Sequence, residues 1–168
     1  VRGAEHLPED RQVESRDLMA LGYSREMAER ILALLDDEVL LKHYLRRGER
    51  AGCVAMSRVG ELYPVTVHNR WGDDAPGCLW GRGNLELLSR PAMALVGSRE
   101  LCPENHRFAE AVGRYAAKQG LTLVSGNARG ADRTAQNSCL AHGGRVISIV
   151  ADALTNYAPH KNILYIMC

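Results

Sequence analysis

The chain contains 168 residues, of which 46% are hydrophobic and 24% are charged, and its formal net charge is +1. This composition is typical of one globular domain with or without a small appendage, and the near-neutral charge excludes a domain that is basic throughout. No apolar run approaches the ~20 residues of a membrane helix, and the five scattered cysteines form no CxxC pair, so we expect a cytoplasmic protein with reduced thiols and no membrane association.

The first predicted unit is a helical module over residues 1–50, in which a polar terminus of residues 1–14 precedes three helices. Gly22 ends the first helix, Ser24 caps the second, and the third begins near Asp37. Apolar residues recur at helical spacing in the last two helices, and we expect Leu35 and Leu41 among them to face inward. Three interpretations remain open: a plain packing unit, a helix–glycine–helix element that contacts a DNA backbone, or a unit similar to ubiquitin-associated domains.

The second predicted unit covers residues 51–168 and opens with three extended pieces, "CVAMS", "LYPVTV" and "GCLWGRGN". Strands and helices then alternate: strand 92–96, helix 105–119, strand 121–124, helix 131–142, strand 146–150 and strand 163–167. Phe108 and Tyr115 are expected to face inward from the first of these helices. Apolar strands alternating with helices predict an α/β fold, a Rossmann-like doubly wound parallel sheet covered on both faces.

Two loops of this unit follow strands at the carboxyl edge of the predicted sheet, where ligands collect in such folds. Residues 97–99, Gly-Ser-Arg, follow the first strand of the alternating part, and "SGNARGAD", residues 125–132, follows the next. Gly126 and Gly130 permit the backbone to approach an anion closely and leave the N–H groups of the following helix facing it.

Polar side chains of the two loops suit a phosphate. Arg99 and Arg129 can each pair with phosphate oxygens, and the hydroxyl groups of Ser98 and Ser125 add hydrogen-bond donors. Asp132 is expected to cap the following helix, to complement its dipole, or to orient Arg129.

The positive charge of the chain is gathered around these loops. Residues 1–50 carry nine Lys and Arg against eleven Asp and Glu, whereas residues 97–145 carry seven against four. The excess favours an anionic ligand, and the alternative interpretation is a glycine-rich turn beside a solvated helix face.

Other ligand motifs are missing from the sequence. It contains no GxxxxGK[ST] loop and no GxGxxG after the first strand of the alternating part, which argues against an ordinary nucleotide-cofactor site. His106 and His142 have no Cys or His at metal-ligand spacing, and Ser125 has no evident base partner. We therefore expect no cofactor, no metal and no catalytic residues.

Several motifs in order resemble the DprA/Smf DNA-processing family. They are "LYP", "GCLWGRGNLELL", "ALVGSR", "LTLVSGNARGADRTAQNSCLAHGGRVISIV" and "YAPHKNILY". The family pattern is similar: Tyr-Pro, Lys-Gly-Asn, Val-Gly-Ser-Arg, Ser-Gly-x-Ala-Arg-Gly-x-Asp, a Gly-Gly pair before a strand, then Tyr-Pro and Asn. The resemblance covers residues 62–166, and the leading helices suit the family's small N-terminal domain.

The resemblance implies a cytoplasmic, non-catalytic protein that binds single-stranded DNA, protects incoming DNA during natural transformation, hands it to a RecA-type recombinase and works as a homodimer. Tyr157 is the aromatic residue nearest the motifs for stacking on a base. The DNA-binding residues that the resemblance implies here are Gly97, Ser98, Arg99, Ser125, Gly126, Arg129, Gly130 and Asp132, with Lys161 and Asn162 from a later loop.

The sequence departs from the family pattern at three places. Gln136 stands where the family commonly has His, and Ala158 interrupts the second Tyr-Pro pair. The sequence ends at Cys168, where the family continues with further strands. We therefore expect a C-terminally truncated Rossmann-like domain and, if those further strands are absent, an exposed sheet edge and the loss of the dimer surface.

Two other hypotheses remain beside the DNA-binding one. The first is a nucleotide-binding sensor or nucleotide-cleaving enzyme of the wider Rossmann-like group that shares the Ser-Gly-x-Ala-Arg-Gly-Ala-Asp loop. Its phosphoribohydrolase branch carries a Pro-Gly-Gly-x-Gly-Thr-x-x-Glu loop that this sequence lacks. The second is a fragment that retains an interaction role alone.

Overall fold

The computed structural model describes residues 12–168, so most of the polar terminus predicted for residues 1–14 lies outside the described residues. The described chain divides into two compact units between Arg46 and Arg47, whereas the sequence predicts a division after residue 50. Each unit is described by itself below.

The first unit contains the predicted helices. Ser24 caps the second of them as predicted, because its hydroxyl oxygen accepts a hydrogen bond from the Met27 N–H at 3.2 Å. Ala28 is buried, but Leu35 and Leu41 are 62% and 56% exposed, so the inward orientation predicted for them is wrong. The helices of this unit are short and do not cover the helix surfaces on which these two leucines lie. The helices are α1 (Ser15–Ala20), α2 (Arg25–Asp36) and α3 (Glu38–Arg50), the last of which runs across the division.

The second unit is built on a six-stranded sheet within the described residues. Its strands are β1 (Cys53–Ser57), β2 (Cys78–Gly83), β3 (Ala92–Ala94), β4 (Thr122–Ser125), β5 (Arg145–Ile149) and β6 (Ile163–Met167). The order is β1-β2-β6-β5-β4-β3. Strands β3 to β6 are parallel, and β1 and β2 extend the sheet in antiparallel fashion. The predicted α/β, Rossmann-like class is confirmed.

Strand β6 lies inside the sheet, between β5 and β2. The last strand of the sequence is therefore not an edge strand of the described sheet. The edges of the described sheet are β1 and β3. The antiparallel pair β1–β2 lies along the side of β6 that does not pair with β5. There, Gly81 of β2 pairs with Ile166 of β6.

Helices α5 (Pro103–Lys118) and α6 (Ala131–Ala141) connect the parallel strands and pack against each other. Their contact uses small residues: a β-carbon at Gly113 would lie 2.2 Å from the Ala135 carbonyl oxygen. Ala109 and Ala116 are buried on the same stripe of α5. Phe108 and Tyr115 are 64% and 54% exposed, so their predicted inward orientation is wrong, because α5 turns its small residues toward α6.

Near β1, β2 and β6, the core contains Met56, Leu87 and Leu164. Two short helical segments contribute to it, α4 (Val65–Trp71) and the 3₁₀ turn Leu85–Ser89, whereas the 3₁₀ turn Gly72–Asp74 contains no buried residue. The extended structure predicted for "LYPVTV" is wrong from Val65 onward. Pro64, with φ of −63°, is the N-cap of α4, and this local geometry outweighs the strand preference of the β-branched residues that follow.

Candidate functional site

The two candidate loops meet at the carboxyl edge of the sheet. We call residues 95–102, after β3, loop A, and residues 126–130, between β4 and α6, loop B. Because Ala94 of β3 pairs in parallel with Val124 of β4, both loops leave the sheet side by side. The N–H of Ala131, the first residue of α6, donates to the Ser98 carbonyl oxygen at 3.0 Å and joins them.

The glycines of the two loops serve mainly to pack one loop on the other. Gly130 has a φ of +89°, and a β-carbon there would lie 2.3 Å from the Ser98 carbonyl oxygen. A β-carbon at Gly97 would lie 2.8 Å from the side chain of Ala131. At these two predicted phosphate-binding positions, Gly97 and Gly130, neighbouring protein atoms therefore fill the space that a side chain would need.

Asp132 holds the backbone of loop B through hydrogen bonds. Its carboxylate Oδ2 accepts hydrogen bonds from the Gly126 N–H at 3.0 Å and the Ala128 N–H at 3.4 Å. Its side chain is buried, as is that of Ser125. Asp132 Oδ1 and the Ser125 hydroxyl have no hydrogen-bond partner among the described residues. Asp132 lies in the first turn of α6, where its charge complements the helix dipole, but it does not cap that helix, whose N-cap residue is Gly130 without a side-chain cap hydrogen bond. Its contacts hold loop B instead, and the Gly126 N–H is already satisfied within the protein.

Three arginine side chains are exposed around the two loops. Arg99 makes no hydrogen bond or ion pair with the described part of the chain, and Arg129 Nη2 lies 3.2 Å from Glu100 Oε1. Arg133, in the first turn of α6, donates to the Asn127 carbonyl oxygen at 3.4 Å. Guanidinium groups present paired N–H donors that match phosphate oxygens, so this edge is suited to bind an anion.

Arg133 was not among the residues predicted for the site. Its position one residue after Asp132, in the first turn of the helix that follows loop B, is the sequence signal that identifies it. The backbone of Asn127 has a φ of +58°, which turns loop B so that its carbonyl oxygen meets the Arg133 guanidinium.

Lys161 and Asn162 are not brought together with the other predicted residues. The Asn162 carbonyl oxygen accepts from the N–H of Val146 near the start of β5, and the Lys161 carbonyl oxygen accepts from the Asn84 side chain. Both residues therefore lie at the amino edge of the parallel strands. A strand rises about 3.3 Å per residue, so roughly 13 Å of strand separates them from the carboxyl edge.

Tyr157 lies beside loop B, on the connection between β5 and β6. Its ring stacks on Tyr165 with centroids 4.5 Å apart, and its hydroxyl donates to the Asp152 carboxylate. This hydrogen bond raises the pKa of Tyr157 and lowers the pKa of Asp152. The side chain of Asn127 in loop B and the charge of Arg133 both oppose this rise in the pKa of Tyr157, so one aromatic residue lies near the exposed arginines.

Neither a metal centre nor a membrane-crossing helix occurs in residues 12–168. No group of three His, Cys, Asp or Glu side chains in that range could hold a metal ion. None of its helices is long and apolar enough to cross a bilayer.

The fold and these motifs are similar to those of known proteins. The X-ray structure of DNA processing protein A (DprA) from Streptococcus pneumoniae superposes with a TM-score of 0.71 at 25% identity, covering 94% of this chain and 57% of that one. DNA processing protein A from Helicobacter pylori has the same fold, with a TM-score of 0.54 at 23% identity over 68% of this chain and 54% of that one.

Curated proteins match over the same region. The DNA processing protein DprA of Streptococcus pneumoniae is 36% identical over 108 residues, which are 64% of this chain and 37% of that protein. Protein Smf of Escherichia coli is 32% identical over 89 residues, 53% of this chain and 24% of that protein. The segments that match in sequence thus cover well under half of the length of either relative. The model of the family "DNA recombination-mediator protein A" matches residues 55–166, and the chain therefore belongs to that family.

Proposed function

We propose that this chain binds single-stranded DNA through its phosphate backbone, at the carboxyl edge where loops A and B meet. The observation that carries the proposal is the placement of three exposed arginines, Arg99, Arg129 and Arg133, around two loops that are held together by hydrogen bonds. Single-stranded DNA offers a row of phosphates, and each guanidinium can pair with one of them. The H. pylori relative is described as having a single-stranded DNA binding mode of its own.

The surroundings of the arginines favour a strand over a single small anion. Single-strand binding commonly combines a basic track with an aromatic side chain on which a base stacks. Tyr157 supplies such a ring on the connection between β5 and β6, near enough to Asn127 and Arg133 for both to influence its pKa. The charge is local, because the whole chain carries a formal net charge of +1, so we expect binding at this edge and weak binding elsewhere.

The biological role we propose is that of a recombination mediator. In this role the protein protects incoming DNA in the cytoplasm during natural transformation and passes it to a RecA-type recombinase, as a homodimer and without catalysis. Membership of a family described as recombination mediators supports the role. The hydrolysis of ATP by RecA on single-stranded DNA, measured with and without the protein, tests the transfer, and sedimentation tests the homodimer.

The ligand class is tested by fluorescence anisotropy with labelled oligo-dT of increasing length, over a salt series, beside free mononucleotides. We expect affinity to rise with length until the site is filled. The logarithm of the association constant should fall linearly with that of the salt concentration, by about 0.7 per phosphate contacted on a single strand. Tight binding of a mononucleotide without binding of oligo-dT would overturn the proposal in favour of a nucleotide-binding sensor.

A further inference from the structure

We propose that Glu100 is an internal competitor for DNA phosphate: its carboxylate occupies Arg129, so that the site binds single-stranded DNA more weakly than its arginines allow. This inference rests on the proposed function and concerns the affinity of the same site. Glu100 opposes DNA binding, whereas the arginines of the site favour it.

The backbone positions Glu100 for this role. The Glu100 N–H donates to the Ser98 hydroxyl oxygen at 3.1 Å, which closes a tight turn in loop A. The Ser98 carbonyl oxygen in turn accepts from the Ala131 N–H, so the same turn is attached to the start of α6. Glu100 Oε1 then lies 3.2 Å from Arg129 Nη2 on loop B. The ion pair therefore joins two loops whose relative position is already set by the backbone.

Of the two acidic residues near the exposed arginines, Glu100 is the one whose carboxylate can compete with a phosphate. Asp132 is also negative, but it is buried and its carboxylate accepts from two backbone N–H groups. The side chain of Glu100 is 89% exposed, and that of Arg129 is 74% exposed. Arg99, Arg129, Arg133, Glu100 and the buried Asp132 together carry a net charge of +1, which becomes +2 when Glu100 is neutral.

A carboxylate and a phosphate compete for the same guanidinium, since both accept its paired N–H donors. Binding of DNA at Arg129 must first break the pair with Glu100. An exposed ion pair is weak, so a strand with several phosphates can displace the carboxylate, while a lone anion gains little by doing so. Glu100 is thus expected to lower affinity by a modest factor and to make release easier.

The chain offers a matched control in Glu104. It lies four residues further along the chain, at the start of α5, and pairs within that helix with Arg107 at 3.1 Å. Its side chain is 70% exposed. Glu104→Gln removes the same charge from the same region without freeing a residue of loop B.

The test measures oligo-dT affinity of the full chain for wild type, Glu100→Gln and Glu104→Gln, each with and without Arg129→Ala. We expect Glu100→Gln to tighten binding about two- to fivefold and Glu104→Gln to change it less than that. The salt slope of Glu100→Gln should stay close to that of wild type, because the same phosphates are contacted in both once the carboxylate is displaced. In the Arg129→Ala background the gain from Glu100→Gln should vanish.

Each contrary result has a distinct meaning. Equal affinities of Glu100→Gln and Glu104→Gln, or a gain that persists without Arg129, would overturn the role of Glu100 while leaving DNA binding intact. No binding of oligo-dT by any variant would overturn the proposed function and this inference with it. Both glutamates are exposed, and thermal unfolding of each variant confirms that the fold is retained.

Discussion

Gly130 lies against the backbone of Ser98 so closely that a β-carbon at residue 130 would come within 2.3 Å of the Ser98 carbonyl oxygen. This contact, with the hydrogen bond from the Ala131 N–H to the same oxygen, makes loops A and B one structural element. The position of Arg129 relative to Arg99 depends on it, because each arginine directly adjoins one of the two residues in contact.

We therefore expect Gly130→Ala to lower both stability and DNA binding. The positive φ costs a residue with a side chain about 1–3 kcal/mol, and relief of the overlap moves loop A as well. Gly143→Ala is the control, since Gly143 also has a positive φ, of +74°, but no atom lies within 4 Å of its added β-carbon. Urea unfolding should show the larger loss for Gly130→Ala, and similar losses in both variants would contradict the packing role of Gly130.

Asp132→Ala should loosen loop B while leaving α6 folded. The substitution removes the acceptor of the Gly126 and Ala128 N–H groups, and a hydrogen bond to a charged group is worth about 1.5–3 kcal/mol. Amide hydrogen exchange should become at least about tenfold faster at these two residues. The Leu123 amide in β4 serves as an internal reference. Unchanged exchange at Gly126 would show that Asp132 does not hold the loop.

Asp152→Asn should lower the pKa of Tyr157. The Asp152 carboxylate is the main cause of the raised pKa of Tyr157, since its hydrogen bond favours the protonated phenol. Titration of the Tyr157 ring carbon by NMR measures the change, with Tyr165 as reference because its pKa is raised by burial instead. A pKa of Tyr157 that stays the same in Asp152→Asn would contradict this account of the contact.

The same contact predicts a dependence of stability on pH. The pKa of Asp152 is lower in the folded than in the unfolded state, so its contribution is present above the ordinary value of 3.8 and is lost as the pH falls through the folded-state value. The pKa of Tyr157 is raised, so its contribution is present below the ordinary value of 10.0 and is lost as the pH rises through the folded-state value. Asp152→Asn should remove the acidic dependence from the unfolding free energy and reduce the alkaline one, to which burial of Tyr157 also contributes.

The sequence predicts the carboxyl-edge loops well because their placement follows from topology. Once β3 and β4 are neighbouring parallel strands, the residues that follow them must emerge side by side. The loop that carries Arg99 therefore lies beside the loop that carries Arg129. The same rule would have placed Lys161 and Asn162 correctly. They directly precede β6, and residues that precede a parallel strand lie at the amino edge.

Other features depend on contacts that a linear pattern does not contain. The apolar spacing of Phe108 and Tyr115 is that of a buried stripe, but the close approach at Gly113 directs a different face of α5 toward α6. The Gln136 amide donates to the Ser148 hydroxyl oxygen at 3.3 Å in the buried interior, so a residue that departs from the family pattern is accommodated by a partner on β5. The pairing of Glu100 with Arg129 likewise requires both loops to be in place.

The central claim is that DNA phosphates bind at the carboxyl edge and not at the amino edge. It is tested most directly by oligo-dT affinity of the double variant Arg99→Ala/Arg129→Ala beside Lys161→Ala, which removes a positive charge at the opposite edge. We expect the double variant to bind at least about tenfold more weakly, with a salt slope reduced by about 1.4, and Lys161→Ala to bind within about twofold of wild type. Wild-type affinity in the double variant, or an equal loss in Lys161→Ala, would contradict the account.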